Sequence, residues 1–144
     1  MDNCDTILKL MDERFMYEAL EEAKKAYEIG EVPIGAVVVC EGRIVGRGSN
    51  RMEIDKDATC HAEILAIKDA SRNLDRWRLT DCDIYITTDP CPMCSGAINL
   101  CRFANVYVGT RDGILEEQCR SIIQDFFKEL RKRDKEKKLS EEKQ

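Results

Sequence analysis

Histidine occurs once in this 144-residue chain, at position 61. Imidazole chemistry therefore rests on one side chain, and a site needing more ligands must take them from other residue types. No apolar run approaches the ~20 residues that a membrane-spanning helix requires, which excludes that class. The N-terminal stretch MDNCDTILKLMDERF is acidic and lacks the basic, apolar and small-residue zones of an export signal. A cytoplasmic protein without membrane partners is expected. Excess positive charge is missing too: the net charge is −5, which argues against a polycation that coats nucleic acid. Repeats and low-complexity linkers are lacking, and the length suits one domain over residues 1–144 with a sizeable core.

What the chain has in quantity is cysteine and charge. Eight cysteines stand at positions 4, 40, 60, 82, 91, 94, 101 and 119. Without an export signal they read as reduced thiols or metal ligands, not as a disulfide framework. Charged residues make up 35% of the chain, unevenly: residues 128–144 hold eight Lys/Arg and five Asp/Glu, a tail of +3 on a body of −8. That tail, KELRKRDKEKK, is either a solvated helix end with cations near its C-terminus or a surface for phosphates.

Apolar spacing organises the rest. Phe15, Met16, Ala19, Leu20, Ala23, Ala26 and Tyr27 recur at helical intervals, giving a helix over about 13–29 that stops at Gly30. IGAVVVC (34–40), the Glu41-Gly42 turn and RIVGRGS (43–49) read as a hairpin whose first strand is buried on both faces. A polar stretch, Asn50 to Asp57, leads to a helix at about 61–73. A strand (83–88), a helix (92–102), a strand (105–109) and a last helix after Gly113 follow. The order ββαβαβ with a helix at each end predicts a three-layer α/β domain around one mixed sheet. Both chemical segments fall where a strand or loop feeds a helix start, as sites in such sheets do.

Those segments are CHAE (60–63) and TDPCPMCSG (88–96). Cysteines three apart at a helix start share a face, and the helix N-terminus favours the thiolate a metal needs. Two thiolates and an imidazole suit zinc rather than magnesium or calcium. Three ligands, His61, Cys91 and Cys94, leave a fourth position to water, as in catalytic zinc sites. A fourth thiol from Cys60, Cys82 or Cys101 would close the site instead. Glu63, two residues after His61, is placed to move protons beside such a water.

The pattern H-x-E…P-C-x-x-C is the signature of zinc deaminases of nucleobases. The chain resembles the bacterial tRNA-specific adenosine deaminases of the cytidine/deoxycytidylate deaminase superfamily, nearly without gaps from Phe15 to Asp112 and again through the last helix. EVPIGAVVV (31–39), GRGSNR (46–51), DATCHAEILAI (57–67), RLTDCDIYITTDPCPMCSGAI (78–98) and VYVGTRD (106–112) carry the resemblance. It implies an α/β/α cytidine-deaminase-like fold and hydrolysis of adenosine to inosine at the wobble position of a tRNA anticodon. It also implies a homodimer with one zinc per chain, held by His61, Cys91 and Cys94, and Glu63 as proton shuttle. Asn50, Ile34 and the Ala62 backbone would hold the base, with Arg111 and Asp112 beside the nucleotide. Single-stranded DNA is a second candidate acceptor. The rival readings are a free-base guanine deaminase and a non-catalytic zinc-binding subunit that touches RNA. The chain departs from the family pattern at Ser49, at Met52 and at Asp89, where Glu is usual before Pro-Cys. Most of all, Asp112 runs straight into Gly113, where the family carries a substrate-side loop and a fifth strand, so a fifth strand is not expected.

Overall fold

A computed structural model describes residues 3–143. The elements in chain order are α1 (Asn3–Glu28), β1 (Gly35–Cys40), β2 (Arg43–Ser49), α2 (Met52–Asp55), α3 (Ala62–Leu74), β3 (Cys82–Ile86), α4 (Pro92–Cys101), β4 (Asn105–Val108), α5 (Gly109–Asp112) and α6 (Glu116–Glu142). The four strands form one mixed sheet in the order β2-β1-β3-β4, antiparallel except for the β3–β4 pair. β1 is buried along its whole length, as its run of small and β-branched residues requires. Ala36, Val38 and Cys40 point to the face covered by α3 and α4, where Ala66, Ala70, Leu79, Ile84 and Ile98 complete a core. Val37 and Val39 point to the other face, against Phe15, Met16, Leu20 and Cys119 of α1 and α6. The three layers expected from the element order are present.

The sheet ends at β4, with no fifth strand among the described residues. The chain leaves β4 through α5, a single turn where the sequence pattern indicated only strand end and loop. The Asp112 carboxylate accepts a hydrogen bond from the Val108 N–H at 2.7 Å, which ties off the last N–H of the exposed edge.

Two helices are longer than apolar periodicity indicated. α1 begins at Asn3, not near residue 13, and its first turns carry Ile7, Leu8 and Leu10 more than half exposed. Helical spacing detects a packed face, and this overhang stays exposed, packed against nothing among the described residues. α6 continues through the charged tail to Glu142, exposed on every side from Phe127 onward. No described helix is long and apolar enough to cross a membrane.

α3 lies unusually close to β2. Gly46 and Gly48 face Ala62, Ala66 and Ala70, and a Cβ added at Gly48 would stand 2.1 Å from the Ala62 carbonyl oxygen. The helix that begins at His61 therefore rests directly on the sheet backbone.

Candidate metal centre and base pocket

His61 and Cys91 occupy equivalent places in different helices. Each is the N-cap of its helix, α3 or α4, with extended backbone, and neither spends its side chain on capping. Pro92 at the first position of α4 fixes the entry of that helix. The free side chains converge: His61 Nδ1 lies 3.5 Å from Cys91 Sγ and 3.5 Å from Cys94 Sγ. Tetrahedral zinc, with bonds of ~2.3 Å to sulfur and ~2.0 Å to nitrogen, requires nitrogen–sulfur spacings of about 3.5 Å. The residues fit the ion. Cys60, Cys82 and Cys101 do not join this group, which holds three ligand atoms within 4.8 Å of one another.

Cys94 is fully buried, and Glu63 in the first turn of α3 is 4% exposed. Burial first, and then the charge of Glu63, push the Cys94 thiol well above the usual thiol range. A cation between them relieves both effects, since it favours the thiolate and attracts the carboxylate.

A narrow cavity of about 90 Å³ opens beside the centre, lined by Val32, Ile34, Asn50, Met52, His61, Ala62 and Glu63. Its size is on the scale of a flat ring. Asn50 is 3% exposed; its amide nitrogen donates to the Val32 carbonyl at 3.4 Å, while its Oδ1 is buried without a partner among the described residues. An orphaned buried acceptor beside the apolar wall of Val32, Ile34 and Ala62 calls for a donor from a ligand. Ile34, Ala62, Asn50 and Glu63 are thus brought together with His61, Cys91 and Cys94.

Arg111 and Asp112 are not. Both are on α5, outside the cavity. Arg111 Nη1 donates to Asp89 at 3.3 Å, and Asp112 accepts from the strand backbone instead of facing the pocket. With no loop following, the chain turns at Gly113 and Asp112 serves its own turn. Arg111 instead lines a broader groove of about 300 Å³ with Pro90, Ser95, Asn99 and Arg102, adjoining the Cys91 loop.

Glu31 opens the EVPIGAVVV stretch, where nothing in the sequence marks a role for its carboxylate. It is 1% exposed, and its Oε1 accepts a 2.7 Å hydrogen bond from the Ile54 N–H in α2, while its Oε2 has no partner. This bond ties the Val32–Ile34 wall of the pocket to the segment that carries Met52. The signal available was an acidic residue directly before an apolar strand entry. Glu31→Ala leaves the Ile54 N–H unpaired, at a cost of about 1–3 kcal/mol. It should lower the melting temperature and raise KM more than it lowers kcat, with metal content unchanged. Glu31→Gln, which keeps the acceptor, should be milder in both assays.

Comparison with known proteins agrees with this geometry. The cytidine and deoxycytidylate deaminase zinc-binding region matches residues 10–110. The tRNA-specific adenosine deaminase of Bacillus subtilis is 41% identical over 158 aligned positions, covering 90% of this chain and 98% of that protein. That alignment is longer than the chain itself, so the relative carries residues with no counterpart here. A solved structure from studies of A-to-I editing by tRNA:A34 deaminases at the wobble position of transfer RNA is 45% identical. It superposes with a TM-score of 0.64 over 66% of this chain and 73% of that one. The guanine deaminase of Bacillus subtilis is 38% identical, with a TM-score of 0.64 over 67% of this chain and 62% of that one. The chain belongs to the cytidine and deoxycytidylate deaminase zinc-binding family, within its group of tRNA-specific adenosine deaminases.

Proposed function

We infer that the protein is a zinc-dependent hydrolase that converts adenosine to inosine in RNA, acting on the wobble adenosine of a tRNA anticodon. The observation that carries this reading is the convergence of His61, Cys91 and Cys94 at zinc spacing, with buried Glu63 beside them at the mouth of a ring-sized pocket. An anticodon loop gives up a base at low cost because its bases are not locked in a duplex. When bound, zinc polarises a water and brings its pKa down toward ~7. Glu63 takes a proton from the attacking water and delivers it to N1 of the purine, then carries the remaining proton of the new C6 hydroxyl to the amino group, which leaves as ammonia as the C6–N bond breaks. Ile34 and Ala62 wall the base, and Asn50 Oδ1 accepts a hydrogen bond from its edge. Arg111, outside the ring pocket, serves the phosphate of the nucleotide in the groove shared with Arg102. A zinc module without activity has no use for a buried carboxylate at an open coordination site. The same reading makes the protein a single-domain, cytoplasmic homodimer.

The test is to incubate the purified protein with an anticodon stem-loop in RNA and DNA form, and separately with free guanine, and to read A-to-G changes by sequencing and ammonia release. Editing of the RNA is expected. Ammonia from guanine with no change in either stem-loop would assign the free-base activity instead, and no product from any of them would leave the non-catalytic reading. DNA presents the same base without the 2′-hydroxyl, and its relative rate measures how far that group is read.

The tail enters here. Lys128, Arg131, Lys132, Lys135 and Lys138 recur at helical spacing along the exposed half of α6, forming a basic stripe on one side. A chain ending at Leu130 should bind the stem-loop more weakly and with a shallower salt dependence, the log–log slope falling by about 0.7 for each phosphate no longer neutralised. An unchanged slope would assign the stripe to solvation alone.

A further inference from the structure

At the end of the sheet opposite the Cys91 loop, two cysteines that the deamination chemistry does not use face each other. Cys40 ends β1, Cys82 begins β3, and the register pairs them directly. The Thr87 N–H bonds to the Gly35 carbonyl, which makes Gly35, Val37 and Val39 the bonded positions toward β3. Cys40 and Cys82 are therefore a non-bonded pair, the arrangement in which opposite Cα atoms approach to about 4.5 Å and side chains lie closest. Asp81 completes a triangle: its Oδ2 is 3.6 Å from Cys40 Sγ, and its Oδ1 is 3.5 Å from Cys82 Sγ. Ligand atoms of the three residues lie within 4.8 Å of one another. Sulfur and oxygen bound to one tetrahedral zinc are separated by about 3.5 Å, so this group meets the criterion that the His61 centre meets.

Charge points the same way. Arg76 Nη2 donates to Asp81 Oδ1 at 2.6 Å and lies 4.0 Å from Cys40 Sγ, while its Nη1 donates to the Arg78 carbonyl. Two thiolates, one carboxylate and one guanidinium leave two negative charges, which one divalent cation neutralises. Both thiols are buried whereas Asp81 is exposed, which gives the ion a route from solvent and leaves a position for water.

We propose that Cys40, Asp81 and Cys82 form a second divalent-cation site, selective for thiophilic ions such as zinc or cadmium, that clamps the end of β1 to the start of β3. Binding exchanges two thiol protons for the ion, with no change of oxidation state. The site is structural: it lies apart from the base pocket and adds to the zinc of the His61 centre.

The test starts from zinc-loaded enzyme purified under reducing conditions. Equilibration with additional zinc should give a second equivalent per chain by elemental analysis and a higher melting temperature. Cadmium in its place should add a sulfur-to-metal charge-transfer band. Cys40→Ser and Cys82→Ser should each remove the second equivalent and the band while leaving stem-loop editing unchanged. Arg76→Gln, which removes the guanidinium from Asp81 and from the Arg78 carbonyl, should weaken the second equivalent by about 10–100-fold, the usual loss when the partner of a ligand is removed. Should Cys82→Ser fail to fold, Cys40→Ser and Arg76→Gln decide alone. Saturation at one equivalent, or a second equivalent that survives Cys40→Ser, overturns the proposal. So does a Cys40–Cys82 disulfide detected by mass under the same reducing conditions.

Discussion

Replacing Glu63 by Gln or Ala is expected to lower turnover by at least ~100-fold, the low end for loss of general acid–base catalysis. In the proposed mechanism two proton transfers depend on this one carboxylate, removal of a proton from water and protonation of the leaving amine, and no other acidic residue among those described lines the cavity. Glu63 is in the first turn of α3, 4% exposed and against Cys94. Gln fills the same space, so the pocket should persist. Zinc content and stem-loop affinity should therefore stay near those of the parent protein while product formation collapses. The measurement is single-turnover deamination alongside elemental analysis and RNA binding. Variants that edit at the parent rate would take Glu63 out of the mechanism, and loss of zinc in Glu63→Gln would mean that it acts on the ion's retention.

The chemistry was legible in the sequence because it is written locally. His61 and Glu63 are two residues apart, Cys91 and Cys94 three apart, and each pair opens a helix that its own flanking residues announce. The layered fold followed from hydrophobic spacing for the same reason. What escaped depends on contacts between distant segments. The Glu31 bond to Ile54 spans 23 residues, and its reason appears only when the pocket wall and α2 meet. The Cys40–Cys82 pair is set by strand register, which no local pattern specifies. Asp112 was expected beside the nucleotide through resemblance. Without the loop that the resemblance places after it, its carboxylate accepts from the Val108 N–H instead. The overhanging start of α1 has ordinary helix formers and no packed face, so propensity rather than periodicity was the clue to it.

The glycines of β2 illustrate the same limit and carry the second large effect. RIVGRGS reads locally as a strand weakened by two glycines. In the fold both lie under the stripe Ala62, Ala66, Ala70, which recurs at the four-residue interval of a helix face. Small residues on both sides let α3 approach the sheet backbone. A methyl group at Gly48 would meet the Ala62 carbonyl oxygen at 2.1 Å and the Ala66 nitrogen at 2.6 Å. These are backbone atoms of a packed helix, so the strain cannot be relieved by turning a side chain, and α3 has to move away. Cys91 and Cys94, carried by α4, have no reason to follow. His61 would then leave the 3.5 Å spacing it keeps with both sulfurs, and Glu63 would shift with it. Gly48→Ala is therefore expected to cost about 1–3 kcal/mol of stability or more, as overpacking does. It should also reduce turnover by ~100-fold, the usual penalty for displacing catalytic groups by about 1 Å. Zinc should be held less tightly as well. Gly96→Ala is the control: it lies in α4 with nothing within 4 Å of the added carbon, so stability, zinc and turnover should hold or improve. Thermal unfolding, zinc affinity and single-turnover editing on the two variants separate the outcomes. If Gly48→Ala keeps full zinc affinity and turnover, α3 has tolerated the displacement, and close contact with β2 does not position His61 and Glu63.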